Sequence, residues 1–102
     1  MVSTRRKNVF EKYGGRCFYC GEELDIDEFH MDHKIPQAKG GPGTFANLEP
    51  ACCLCNMTKG PLDIEEFRLK IMFLRYDNTS VKLFCKYHDI PSTRVSFYFE
   101  EY

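Results

Sequence analysis

Two CxxC pairs, Cys17-Phe-Tyr-Cys20 and Cys52-Cys53-Leu-Cys55, constrain this chain more than any other feature. Each pair offers two thiolates from one tight knuckle. Two knuckles together close a tetrahedral shell around a zinc ion, and a shell closed by four protein ligands is structural rather than catalytic. A chain of 102 residues is one domain on length. So small a domain buries limited surface, and a metal staple offsets that deficit. Six cysteines also suit a secreted disulfide scaffold. Against that, the N-terminus Met-Val-Ser-Thr-Arg-Arg-Lys leads into no apolar signal segment, and no run is long enough to span a membrane. The expectation is a reducing, intracellular (cytoplasmic) setting with the thiols on metal.

If the knuckles are structural, the chemistry lies between them. There Asp32 and His33 stand side by side, followed by Gly40-Gly41, then Asn47-Leu48, then Cys55-Asn56 and Lys59-Gly60. The order and short gaps of these residues resemble the HNH endonucleases over 17–60. The resemblance implies an α+β fold: a small zinc-stabilised ββα-metal core with flanking helices and a C-terminal strand, all within a single domain over 1–102. It also implies roles. His33 would be the general base, Asp32 and the Asn56 amide oxygen would hold a catalytic divalent ion, and Asn47 would brace the loop and orient His33. Cys17, Cys20, Cys52 and Cys55 would hold the structural zinc. The catalytic ion would be magnesium or manganese, because a hard cation prefers oxygen donors and stabilises charge on a phosphodiester undergoing hydrolysis. A neutral imidazole suits proton abstraction from water, since its ordinary pKa is about 6.5.

The rest of the chain reads as support. Ser3 or Thr4 caps a helix running to about Tyr13, ended by Gly14-Gly15. A strand is expected near Phe29–Ile35, where Pro36 stops central pairing, and Lys39–Gly43 is a loop. Asn47–Ala51 returns as the second hairpin arm, interrupted by Pro50, and Cys55–Lys59 begins a short helix. Asp63 and Glu66 form a capping box for a helix whose apolar face is Ile64, Phe67, Ile71 and Leu74. Val81–Tyr87 is a helix or a strand, and the alternation of Val95, Phe97 and Phe99 with polar or half-polar residues predicts a half-buried strand. One tension is physical: in a regular strand, Asp32 and His33 point to opposite faces, so the strand must bulge, twist or end there to serve one site.

Charge bears on the substrate. The formal net charge is −1, whereas phosphate neutralisation calls for a basic face. The distribution is uneven: residues 1–16 sum to +4, and residues 22–28 hold five acids and no base. Binding to double-stranded DNA would therefore rest on a local patch, with Arg5, Arg6 and Lys7 on the first helix and Lys34, Lys39 and Lys59 near the motif. His30 reads as a packing or hydrogen-bonded histidine, His88 as structural or exposed, and the spare thiols Cys53 and Cys85 as small buried apolar groups. Two other functions compete: a zinc-stabilised nucleic-acid- or protein-binding module without catalysis, and a CxxC dithiol switch. The usual βαβ context of the second is missing. The full set Asp32, His33, Asn47 and Asn56 disfavours the first. Either sequence preference is low, or the segments outside the motif and a partner protein supply it.

Overall fold

The computed structural model describes residues 2–77 and 96–101. Val81–Tyr87, Cys85, His88 and Val95 lie outside the described residues. The described elements are helix α1 (Thr4–Glu11), strand β1 (His30–His33), strand β2 (Leu48–Ala51), helix α2 (Cys53–Lys59), helix α3 (Ile64–Asp77) and a helical turn at Tyr98–Glu101. Short 3₁₀ turns at Gln37–Lys39 and Phe45–Asn47 lie between the strands. The architecture is the expected small α+β core with flanking helices.

β1 and β2 pair antiparallel, with Met31 opposite Pro50 and Asp32 opposite Glu49. Pro50 does not interrupt this arm, contrary to expectation. Its carbonyl accepts the Phe18 N–H at 2.7 Å, so its polar edge points away from β1. At such a pair the ladder asks no N–H of the proline. The same bond fixes the first knuckle to the sheet. The second knuckle leads straight into α2, where the Cys52 sulfur caps the helix by accepting the Cys55 N–H. Both knuckles are thus bound into the ββα unit by main-chain groups.

Ser3 caps α1, accepting the Arg6 N–H. Lys12 then pins the end of this helix to the second strand: its Nζ donates to the carbonyls of Phe45 at 2.9 Å and Leu48 at 2.8 Å. It also lies 2.8 Å from Glu49 Oε1, an ion pair by distance though not aligned as a hydrogen bond. Lys34 reaches the other oxygen of Glu49 at 3.3 Å. Glu49 is almost fully buried, and burying a lone carboxylate is costly, so these two lysines are its counter-charge.

The main core is aromatic and lies against the cysteines. Phe18, Tyr19, Phe67, Ile71 and Phe97 are all essentially inaccessible. The rings of Phe67 and Phe97 meet Tyr19 nearly edge-on at 5.2 and 5.4 Å, a favourable geometry for aromatic quadrupoles. The Asp63–Glu66 capping box forms reciprocally, with N–H to carboxylate distances of 3.0 and 2.9 Å. The tail differs from its predicted strand. The N–H groups of Tyr98 and Phe99 donate to the carbonyls of Tyr19 and Phe18, while Glu100 accepts the Phe97 N–H and pairs with buried Arg68 at 2.7 Å. Docking onto a knuckle, rather than a sheet edge, closes the tail into a helical turn.

Candidate active site

β1 ends at His33, and this resolves the geometric tension between its neighbours. Beyond it the Lys34 N–H donates to the Asn47 carbonyl at 2.8 Å, and the Ile35 N–H donates to Asn47 Oδ1 at 2.9 Å. Asn47 Nδ2 returns two bonds, to the carbonyls of Ile35 at 3.0 Å and Pro42 at 2.8 Å. One buried carboxamide therefore ties both ends of the 35–42 loop together. Gly41 is required inside that loop: a Cβ there would sit 1.7 Å from the Ile35 carbonyl oxygen. With the chain turned this way, Asp32, His33 and Asn56 all line one cleft of about 310 Å³, together with Pro36, Gln37 and Pro61.

The floor of the cleft is charged and buried. Asp32 is 6% exposed, and its Oδ2 accepts the Tyr19 hydroxyl at 2.5 Å. Lys59 Nζ lies 3.3 Å from the same oxygen and donates to the His33 carbonyl at 3.0 Å. Burial pushes the Asp32 carboxyl above the usual carboxylate range, while Tyr19 and Lys59 pull it back. Burial also raises the Tyr19 phenol, reinforced by the Asp32 charge, so its hydroxyl is held as a proton donor.

Several residues expected to contact DNA have partners within the fold. Lys59 is fully buried beneath Asp32 and presents no ammonium to a phosphate. Lys39 pairs with Glu66 and Asp63, and Lys34 with Glu49. Arg6 donates to the carbonyls of Ile26 at 2.7 Å and Phe29 at 2.6 Å, and it stacks on the Phe29 ring. Arg5 and Lys7 remain exposed, with no carboxylate partner among the described residues. Arg5 lies near the cleft: the point a Cβ on Gly43 would occupy is 3.8 Å from Arg5 Nη2 and 3.8 Å from His33 Nε2. His30 pairs opposite Ala51 and is not among the cleft-lining residues.

Cys17, Cys20, Cys52 and Cys55 place their sulfurs within 4.8 Å of one another, a group that could hold a metal ion. Cys20 and Cys52 sulfurs are 3.8 Å apart. A tetrahedron with metal–sulfur bonds of about 2.3 Å has edges of about 3.8 Å, so the spacing fits. N–H groups of Tyr19 and Cys52 point at Cys17 sulfur, each at 3.4 Å. Crowding drives the thiols apart in acidity: mutual hydrogen bonding lowers Cys52 and Cys20 and raises Cys17 and Cys55. Cys53 lies outside the group and is exposed, contrary to its expected burial, because it stands at the start of α2 with its side chain turned from the core. Sequence reasoning missed Tyr19 and Lys59 as partners of Asp32. The signal available for Tyr19 was a hydroxyl inside the knuckle, which nothing local distinguishes from simple packing.

An antiparallel strand pair followed by a short helix, with a carboxylate, an imidazole and a carboxamide on one cleft, defines the ββα-metal class. Residues 17–62 match the family model described as HNH endonuclease. The CRISPR-associated endonuclease Cas9 of Corynebacterium diphtheriae is 39% identical over 59 residues, covering 57% of this chain and 5% of that protein. Its counterpart in Actinomyces naeslundii is 37% identical over 57 residues, covering 53% of this chain and 5% of that one. Among solved structures, the Type II-C Cas9 enzyme from Actinomyces naeslundii superposes with a TM-score of 0.60 at 29% identity, over 66% of this chain and 8% of that chain. The chain thus spans about 5% of the length of the curated relatives it matches.

Proposed function

We propose that this chain is a metal-dependent endonuclease that hydrolyses phosphodiester bonds in double-stranded DNA. The observation that carries the reading is the convergence of Asp32, His33 and Asn56 on one cleft. Asp32 and Asn56 offer oxygen donors suited to a hard ion, and they would hold Mg²⁺ or Mn²⁺. When bound, that ion supplies charge stabilisation at the phosphate and at the leaving oxygen. His33 accepts the proton of the attacking water at Nε2 as the water oxygen bonds to phosphorus and the bond to the leaving sugar oxygen breaks. Asn47 keeps the imidazole in place by holding the loop that leaves β1 immediately after it. Arg5, across Gly43 from Nε2, draws a backbone phosphate toward the base. The four-cysteine cluster is read as a structural zinc site, and its S···S spacing supports that assignment.

Metal response separates the roles. Alanine at Asp32 or Asn56 should raise the Mg²⁺ or Mn²⁺ concentration needed for half-maximal cleavage, with activity partly recovered as the ion is raised. Asn47→Ala should stay impaired at every concentration, because mass action does not restore orientation. Equal metal curves for wild type and Asp32→Ala would refute the assignment.

The basic face makes a second prediction. Neutralising Arg5 and Lys7 together should weaken DNA binding and flatten the slope of log affinity against log salt by about 2, roughly one per phosphate contact. An unchanged slope would place the DNA on another surface.

A further inference from the structure

The first knuckle does more than present two sulfurs. Tyr19 lies between Cys17 and Cys20, its N–H is directed at the Cys17 sulfur, and its hydroxyl reaches Asp32 Oδ2 at 2.5 Å. The ring spanning those two ends is inaccessible to solvent and held nearly edge-on by Phe18, Phe67 and Phe97. Its carbonyl accepts the Tyr98 N–H at 2.9 Å, so the residue is fixed at backbone, ring and hydroxyl.

We infer that Tyr19 is a positioning residue that couples the four-cysteine cluster to the active-site carboxylate. The inference rests on the nuclease reading of the cleft. An ionised carboxylate accepts bonds on two oxygens. Tyr19 and Lys59 engage Oδ2, and among the described residues Oδ1 meets Lys59 Nζ at 3.5 Å, the limit of a hydrogen bond. Tyr19 therefore fixes the rotation of the carboxyl group from the protein side and leaves Oδ1 the less committed oxygen for a divalent ion. Because the phenol is anchored to the knuckle, the placement of Asp32 depends on the cluster being closed. Partners of this kind typically change metal affinity by about 10- to 100-fold when removed.

The test is Tyr19→Phe, which keeps the ring and removes the one hydroxyl. Mn²⁺ binding to the zinc-loaded protein is measured by electron paramagnetic resonance, with Asp32→Ala as the reference for a weakened site. Cleavage is measured in parallel across Mn²⁺ concentrations. Tyr19→Phe should retain one zinc per chain and a thermal midpoint near wild type. It should bind Mn²⁺ at least about tenfold more weakly. Half-maximal cleavage should shift by the same factor, with the maximal rate at saturating Mn²⁺ largely recovered. In the Asp32→Ala background the added Tyr19→Phe change should alter nothing. Unchanged Mn²⁺ binding in Tyr19→Phe, with binding weakened in Asp32→Ala, would overturn the inference and leave the nuclease reading standing. Loss of zinc from Tyr19→Phe would also overturn it, because the hydroxyl would then serve the cluster and not the carboxylate. A wild type that neither binds Mn²⁺ nor cleaves DNA would overturn both.

Discussion

His33→Ala is expected to lower strand cleavage by about 10² to 10⁴-fold, the usual cost of removing a general base. Zinc content, folding and DNA binding should stay close to wild type. His33 is only partly buried, and the interaction its residue gives the core is a backbone one, its carbonyl accepting from Lys59. Alanine preserves that carbonyl, so the loss should fall on the chemical step. His30→Ala provides the comparison, since His30 is not among the residues lining the cleft. It should retain most activity. Cleavage that survives His33→Ala at full rate would require a different base.

Zinc removal should have the largest effect on the fold. The cluster joins the segment before β1 to the start of α2, and the aromatic core rests against it. Structural zinc contributes on the order of 10 kcal/mol or more in finger peptides, comparable with the whole stability of a small domain. Serine at Cys17, Cys20, Cys52 or Cys55 should therefore give protein that lacks zinc and shows no cooperative thermal transition. Cys53→Ser should keep one zinc per chain, because that thiol lies outside the cluster. Elemental analysis and circular dichroism on the same samples check both statements. A folded serine variant without metal would show that the aromatic core suffices alone.

What the sequence revealed depended on how local each determinant is. The knuckles, the capping box at Asp63 and Glu66, and the ββα order were legible because their signals span a few residues. The fate of the cations was not. Lys59, Arg6, Lys34 and Lys39 resemble surface residues in sequence, yet each finds a partner across the fold: Asp32, two carbonyls, Glu49, and the capping box. A charge count cannot show which cations are already neutralised. The tail misled for a related reason. Alternation at Phe97 and Phe99 fits a strand, but the carbonyls of Phe18 and Tyr19 offered a different set of acceptors. Pro50 misled because a proline is excluded from a ladder only where its N–H faces the partner strand. Tyr19 was hidden because only the folded chain brings its hydroxyl to Asp32.

The most direct test of the nuclease reading is incubation of supercoiled plasmid with the purified, zinc-loaded chain and Mg²⁺ or Mn²⁺, against EDTA and His33→Ala controls. The predicted result is conversion to nicked or linear DNA that requires the added ion and disappears with His33→Ala. Tight plasmid binding with no cleavage by the wild type under any divalent ion would contradict it.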